Sequence, residues 1–515
     1  MNHLLEIIIA APFVAALVIL ALPSEQTMNM RIVALLGAGV SLVGSVVVAF
    51  QYDMGVGGVQ MLNSYPIVPS LGINLTLGVD GWGVSLLLLT GLIIFTGVFA
   101  SWTLTDRVKE FHVFLLVLVA GVFGVFVSLD LFIFFLFYEI AVLPMYLLIG
   151  IWGSSHKVAE AGPFRFVWRM LDIGGKEYAA MKLTLMLLVG SALIIAAMIA
   201  MYLEANLTSF DMLRLENVTF SHSLQFWAFP FLWIGFGTLG GVWPFHTWSP
   251  DGHASAPTAV SMLHAGVLMK LGAFGVIRVG MMLLPEGAQE WVWLVGGIAA
   301  INVIYGALGA LWQKDLKYVV AYSSVSHMGL VMLGAATLSV AGWNGAIYQM
   351  FAHGLMTGLL FALVGIVYDR ADHTRHIPDF GGFGRKMPGV AVFFTIACLS
   401  SLGMPGFAGF VAEWLVFLGA WTGQQFWWAM IGIVGAWVTA IYILRVSKNI
   451  FWGPGPSDRW KNISDARGQE WFPLWVLGGG LIVFGIWPNL ILDFIDLATS
   501  TYLPSVTSLA MEVHP

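Results

Sequence analysis

Leu131-Phe-Ile-Phe-Phe-Leu-Phe-Tyr-Glu139-Ile-Ala-Val-Leu-Pro-Met-Tyr-Leu-Leu-Ile-Gly-Ile-Trp152 is a run of 22 residues in which Glu139 alone is charged. Some 20 apolar residues, each rising about 1.5 Å, cross the hydrocarbon core of a bilayer as one α-helix. The pattern recurs at roughly 4–22, 28–50, 80–101, 110–128, 131–152, 180–202, 224–246, 256–284, 288–311, 317–338, 342–367, 389–421, 426–449 and 471–495, which makes fourteen spans. Mean hydropathy is +0.87. Hydrophobic residues make up 59% of the chain and charged residues 10%, where soluble domains carry about 25% charged. Lipid is the solvent for such a chain, and the fold class is an all-α polytopic membrane protein. A net charge of −6 gives no basic surface for nucleic acid. The single cysteine, Cys398, cannot form an internal disulfide or a cysteine-rich metal or cluster site and reads as a small core residue.

The first apolar run, Leu4–Leu22, has no Lys or Arg before it, contains Glu6 and ends at Pro23 without a small-x-small cleavage pattern. It is expected to be a transmembrane helix and not a cleaved signal. Basic residues fall in alternate connections: Arg31; Arg107 and Lys109; Lys157, Arg165, Arg169, Lys176 and Lys182; Lys314 and Lys317; Arg370, Arg375, Arg385 and Lys386; and Lys448, Arg459, Lys461 and Arg467. The opposite connections hold only Arg214. The positive-inside rule then places these basic loops in the cytoplasm and both termini outside. In the connection 51–79, the alternation Asn74-Leu-Thr-Leu77 before Gly78 predicts a small external hairpin.

Two spans are interrupted in similar terms. The seventh carries Gly240-Gly241-Val-Trp-Pro244 and the twelfth Gly403-Met-Pro405-Gly406. Paired Gly/Pro interruptions in the two halves of a membrane chain point to an internal repeat with a transport path between broken helices, although a proline kink alone explains either one singly. Gly235-Phe-Gly-Thr-Leu-Gly240 matches the dinucleotide-binding pattern, but it lies inside an apolar span without the strand that motif requires, so it reads as helix packing.

Ionisable residues inside the spans are the functional signal, because a charge at mid-helix costs about 2.5–3.5 kcal/mol on insertion scales. Glu139 has no cationic neighbour in sequence, Lys270 is its basic counterpart in span 8, and Glu413 follows the break of span 12. His327 and His353 lie in spans 10 and 11. A lone histidine on an apolar face is usually a hydrogen-bonded core residue, but in a set with two carboxyls and an amine it reads as a proton carrier. His246, His253 and His264 surround the connection of spans 7 and 8, at spacings that match no metal signature. No metal is expected there, and Asp251 is available to accept their hydrogen bonds.

These residues sit in runs that resemble the antiporter-like membrane subunits of respiratory complex I, the NADH–quinone oxidoreductase. The runs are Phe134–Gly153 around Glu139, Trp243-Pro-Phe-His-Thr-Trp-Ser-Pro-Asp-Gly-His253, Ala321-Tyr-Ser-Ser-Val-Ser-His-Met-Gly329, Leu402-Gly-Met-Pro-Gly406 with Glu413, and Leu77-Gly-Val-Asp80-Gly. The resemblance covers nearly the whole chain. It implies two inverted five-helix repeats, spans 4–8 and 9–13, with helices 7 and 12 broken. The chain then divides into N-terminal helices (1–109), a first repeat (110–284), a second repeat (288–449), and a cytoplasmic loop with a C-terminal transmembrane helix (450–515).

The resemblance further implies proton translocation along a central axis of Glu139, Lys270, His327, His353 and Glu413, with Lys182 as another recurrent lysine. It implies no cofactor in this chain, with NADH, FMN, iron–sulfur clusters and quinone handled by other subunits. The implied partners are antiporter-like subunits of the L and N types, small helical subunits and lipid, in a bacterial cytoplasmic membrane. One position departs from the pattern: the family's span 7 lysine, counter-charge to the span 5 glutamate, is Leu239 here. Lys182 and His246 are the candidates to replace it. Two further readings share these residues: a subunit of a multisubunit cation/proton antiporter, and a bridging module whose proton path is incomplete at Leu239.

Overall fold

The computed structural model describes residues 3–155, 174–206, 209–423, 425–454, 458–460 and 462–513. Lys157, Arg165, Arg169 and Lys461 of the expected basic loops lie outside the described residues. Helices α1 (Leu4–Ala21) and α2 (Thr27–Gln51) are followed by an antiparallel hairpin, β1 (Gln60–Val68) with β2 (Ile73–Val79). Next come α3 (Gly81–Ala100), α4 (Val108–Val127), α5 (Leu131–Trp152), α6 (Lys176–Glu204) and a divided helix, α7a (His222–Leu239) and α7b (Trp248–Ser255). The second half runs α8 (Thr258–Met281), α9 (Pro285–Trp312), α10 (Leu316–Ala335) and α11 (Val340–Arg370). A second divided helix, α12a (Pro388–Ser401) and α12b (Ala408–Thr422), precedes α13 (Phe426–Phe451), α14 (Trp471–Ile486) and α15 (Asn489–Val513). Twelve helices among the described residues are long and apolar enough to cross a membrane. The two divided helices complete the fourteen spans.

The repeat is written into the helix starts. Asp130 caps α5 by accepting from the amides of Phe132 and Ile133 at 3.0 and 3.1 Å. Asp315 caps α10 by accepting from Lys317 and Tyr318 at 2.9 and 3.3 Å. Each aspartate also forms an isolated backbone bridge to the segment after the following helix, Asp130 to Asp211 and Asp315 to His376. A carboxylate at the N-cap satisfies amides that have no partner within the helix. Its appearance at equivalent places in spans 5 and 10 is the signature of one unit used twice, inverted.

The breaks are held by named side chains. Gly241, Gly403 and Gly406 have φ of +73°, +68° and +95°, a left-handed backbone that glycine adopts without strain. At the α7 break Asn302 of α9 accepts from Trp243 N at 2.8 Å and donates to Val325 O at 2.9 Å and Gly241 O at 3.3 Å. Trp248 Nε1 donates to Thr238 O at 2.9 Å. Free backbone groups inside a bilayer are tolerated only where protein re-satisfies them. Helices α8 and α11 are buried along their apolar windows and α10 nearly so, so their polar residues face protein.

The C-terminal end corrects one expectation. A single span over 471–495 was predicted, but the helix ends at Ile486 and α15 begins at Asn489. Pro488 has no amide to donate, and it drives Trp487 to φ −121° and ψ 68°, outside the helical region. The residues after it are apolar enough to resemble a continued span. Helix α15 packs instead across helix ends: Trp82 Nε1 donates to Thr499 Oγ1 at 3.1 Å, Asn344 Nδ2 to Asp496 at 2.6 Å, and Gln289 Nε2 to Val506 O at 2.6 Å. The predicted hairpin is present, anchored by Tyr65 and Asn63 donating to Glu6 at 2.8 and 3.0 Å.

Candidate functional site

Helix α8 is not a uniform α-helix: His264–Leu268 and Val276–Met281 are π-helical. A π segment shifts the hydrogen-bond ladder and releases carbonyls. The carbonyl of Ala265 takes a hydrogen bond from Lys270 Nζ five residues on. Lys270 Nζ also lies 2.6 Å from His353 Nδ1 of α11, and no carboxylate among the described residues pairs with this lysine. The ring of His353 is 5.2 Å from that of His327 on α10. His327 Nδ1 accepts from Gln349 Nε2 at 3.0 Å, and its Nε2 meets Ser401 Oγ at 3.2 Å. Glu413 Oε1 of α12b lies 3.8 Å from His327 Nδ1.

Lys270, His353, His327 and Glu413 are all buried, and they form one line from α8 to the break of α12. Gly403 at that break positions the carboxylate, because a Cβ there would strike it. Of the three steps, only Lys270 to His353 is within hydrogen-bond distance, and all four groups are ionisable.

The first half is arranged differently. Glu139, half-buried, takes a hydrogen bond from Ser191 of α6. Lys182, nine residues before Ser191 on α6, pairs with Asp251 of α7b at 2.8 Å, and Tyr318 OH donates to the other oxygen of Asp251 at 2.8 Å. At about 100° per residue, nine positions place Lys182 and Ser191 on opposite faces of α6. His246 packs edge-on to Tyr305 with ring centres 4.8 Å apart. No hydrogen bond or ion pair among the described residues joins Glu139 to Lys182 or His246. Leu239 is fully buried at the end of α7a. Asp251, available in sequence to the neighbouring histidines, instead accepts from Lys182 and Tyr318.

Several residues at these sites are not marked by the sequence alone. Ser191, Asn302, Gln349 and Ser401 are neutral polar residues in apolar helices, and the only signal in sequence is their polarity. Arg278 carries a stronger one, a charge inside span 8. It donates to Asp80 at the start of α3, with its guanidinium 5.2–5.3 Å from the rings of Trp82, Phe274 and Tyr502. Cys398 is buried with its thiol 3.9 Å from Ile443 O. No group of three or more His, Cys, Asp or Glu side chains among the described residues is placed to hold a metal ion.

Sequence comparison matches residues 128–173 and 174–439 to the family described as NADH:quinone oxidoreductase/Mrp antiporter, transmembrane. NAD(P)H-quinone oxidoreductase chain 4 1 of Synechococcus elongatus is 35% identical over 508 residues, covering 97% of this chain and 91% of the relative. NADH-quinone oxidoreductase subunit M of Rhodobacter capsulatus is 34% identical over 532 residues, covering 100% and 98%. Among solved structures, a chain of respiratory complex I from Thermus thermophilus with bound NADH superposes with a TM-score of 0.85 at 27% identity, covering 98% of this chain and 99% of that one.

Proposed function

The chain belongs to the NADH:quinone oxidoreductase/Mrp antiporter transmembrane family, and from that premise we propose that it is the proton-translocating subunit M (chain 4) type component of a complex I. The single observation that carries the reading is the buried line Lys270–His353–His327–Glu413. A proton arriving on the Lys270 amine makes an ammonium that His353 is placed to relieve. His327 then links His353 to Glu413, and Gln349 and Ser401 fix its ring. Residues 110–284 and 288–449 act as two half-channels, and Lys182 with Asp251, His246 and Glu139 belong to the first.

The chain contributes no redox centre in this reading. NADH, FMN, iron–sulfur clusters and quinone are bound by other subunits, and L- and N-type antiporter-like subunits flank this one in a bacterial cytoplasmic membrane. Both termini face outward. A second reading, a bridging module with an incomplete path, draws on the fully buried Leu239 and on Glu139 meeting only Ser191.

The test is Lys270→Ala in the assembled complex, reconstituted in liposomes with NADH and quinone. Proton pumping through this subunit is expected to fall by about 10²-fold or more, the contribution of a positioned proton carrier. Lys270→Arg retains little, because arginine stays protonated. Pumping equal to the parent in the alanine variant rejects the reading and leaves the bridging module.

A further inference from the structure

The first turns of α12a and the end of α13 leave a groove that no side chain among the described residues fills. It measures about 660 Å³, with Pro388, Ala391, Val392, Thr395 and Ile396 along α12a and Phe451 and Trp452 at the end of α13. The α12a residues recur at every third or fourth position, so they share one face of the helix and run about 12 Å along it. Thr395 turns its hydroxyl back to Ala391 O at 2.8 Å, which leaves this wall apolar over its length. Val392 is 57% exposed and Trp452 65%. Gly384 lets the preceding turn close on α13, since a Cβ there would come within 2.7 Å of Phe451 O. Gly382 N fastens the same turn by donating to Trp452 O at 3.1 Å.

The mouth of the groove is basic. Arg385 lines it, Lys386 follows directly in the chain, and Lys448 lies one turn before Trp452, a spacing that makes the two neighbours on the helix surface. All three cations are exposed, and none has an ion pair or side-chain hydrogen bond among the described residues. Asp465, the carboxylate at this end of α12a, is committed to the amides of Gly389 and Val390 at 2.7 and 3.1 Å. The positive-inside rule accounts for basic residues at the ends of spans, but not for an apolar groove that opens beside them. The groove between α1 and α2, about 400 Å³, is lined by apolar residues and glycine alone and has no charged mouth. A soluble anion needs only the cations. Unpaired cations joined to an apolar wall and an interfacial tryptophan suit a molecule that carries both a phosphate and an acyl chain.

We propose that the α12a–α13 groove is a binding site for an anionic phospholipid, whose phosphate is held by Arg385 and Lys448 and whose acyl chain lies along Pro388–Ile396. The guanidinium offers paired donors that match phosphate oxygens, and the lysine adds a point charge. Lys386 raises the local potential. Trp452 stands at the level of the headgroup, where tryptophans at the ends of spans collect. A zwitterionic lipid fits the same wall, but its quaternary ammonium brings a further positive charge among three cations. The site is separate from the line of Lys270 and Glu413 and does not depend on the proton-transport reading.

The experiment uses the unmutated complex in vesicles of phosphatidylcholine and phosphatidylglycerol, with a photoactivatable acyl chain on one lipid or the other at equal concentration. Cross-linked residues are read by peptide mass spectrometry. Phosphatidylglycerol is expected to label Pro388–Ile396 about fivefold or more over phosphatidylcholine, the preference that one basic residue at a membrane surface confers. The α1–α2 groove is the comparison, and both probes are expected to label it alike. In the double variant Arg385→Gln with Lys448→Gln, whose changes fall on exposed side chains, labelling by phosphatidylglycerol is expected to drop to the phosphatidylcholine level, with the latter unchanged. Equal labelling by the two lipids in the unmutated complex overturns the proposal, as does a preference that survives in the double variant. If neither lipid labels Pro388–Ile396, a neighbouring protein covers the groove and the proposal falls.

Discussion

Replacing Asn302 by leucine removes three hydrogen bonds at the α7 break while keeping side-chain volume close. Its oxygen is the acceptor for Trp243 N at 2.8 Å, and its amide donates at 2.9 and 3.3 Å to Val325 O and Gly241 O. Asn302 is fully buried, so water does not replace it freely. A buried donor left without a partner costs about 1–3 kcal/mol. The two carbonyls add less, because one bond is long and each oxygen has a second lone pair. Leucine also gains some burial of apolar surface, which offsets part of the loss. The balance is a destabilisation of about 2–4 kcal/mol, large beside the roughly 0.5 kcal/mol of a neutral substitution. The assay is reversible unfolding of the purified chain in mixed micelles titrated with SDS, read by tryptophan fluorescence. A shift below about 0.5 kcal/mol refutes the argument that the break is held from α9.

Four further outcomes are expected. Removing one partner of the buried Arg278–Asp80 pair, as in Asp80→Asn, costs about 3–5 kcal/mol, and replacing both with apolar residues recovers much of it; the same micelle titration reads both. Gly403→Ala, which strains a left-handed backbone and drives a methyl into the Glu413 carboxylate, lowers pumping about tenfold or more, comparable to Glu413→Gln. Leu239→Lys perturbs pumping if the first half-channel conducts, and an indifferent result favours the bridging module. The exposed pair of His222 with Glu290 raises the histidine pKa above its ordinary 6.5 through the hydrogen bond and charge of Glu290. The folded-state value is the raised one, so this contribution is complete below pH 6.5 and disappears as pH climbs through the raised value. An NMR titration of His222 in the parent and in Glu290→Gln checks the direction.

How much of this was legible in sequence depends on what each residue must do. Glu139, Lys270 and Glu413 stand out because a charge in an apolar run is costly and rare. The breaks stand out because glycine and proline alone interrupt such runs. Partners do not stand out. Whether Lys182 faces Asp251 or Glu139 is decided by half a turn of α6 and by which helix lies against which face, and neither is fixed locally. Asn302 and Gln349 read as tolerated polar residues, since their work is done on backbone and rings more than 20 positions away. Pro488 is flanked by apolar residues on both sides, so hydropathy runs through it although its missing amide ends the helix.

Helix α15 has a mechanical consequence. It is fastened to α3 through Trp82, to α9 through Gln289 and to α11 through Asn344, and its Tyr502 ring lies beside Arg278 of α8. It therefore bolts members of both repeats to one beam along a single end of the bundle. Carriers that alternate access by rocking one repeat against the other need that end free to open and close. Here the beam makes the end stiff. Motion is left to side chains and water between fixed walls, so the two halves behave as one frame through which charge is passed and not as jaws that turn around a cargo.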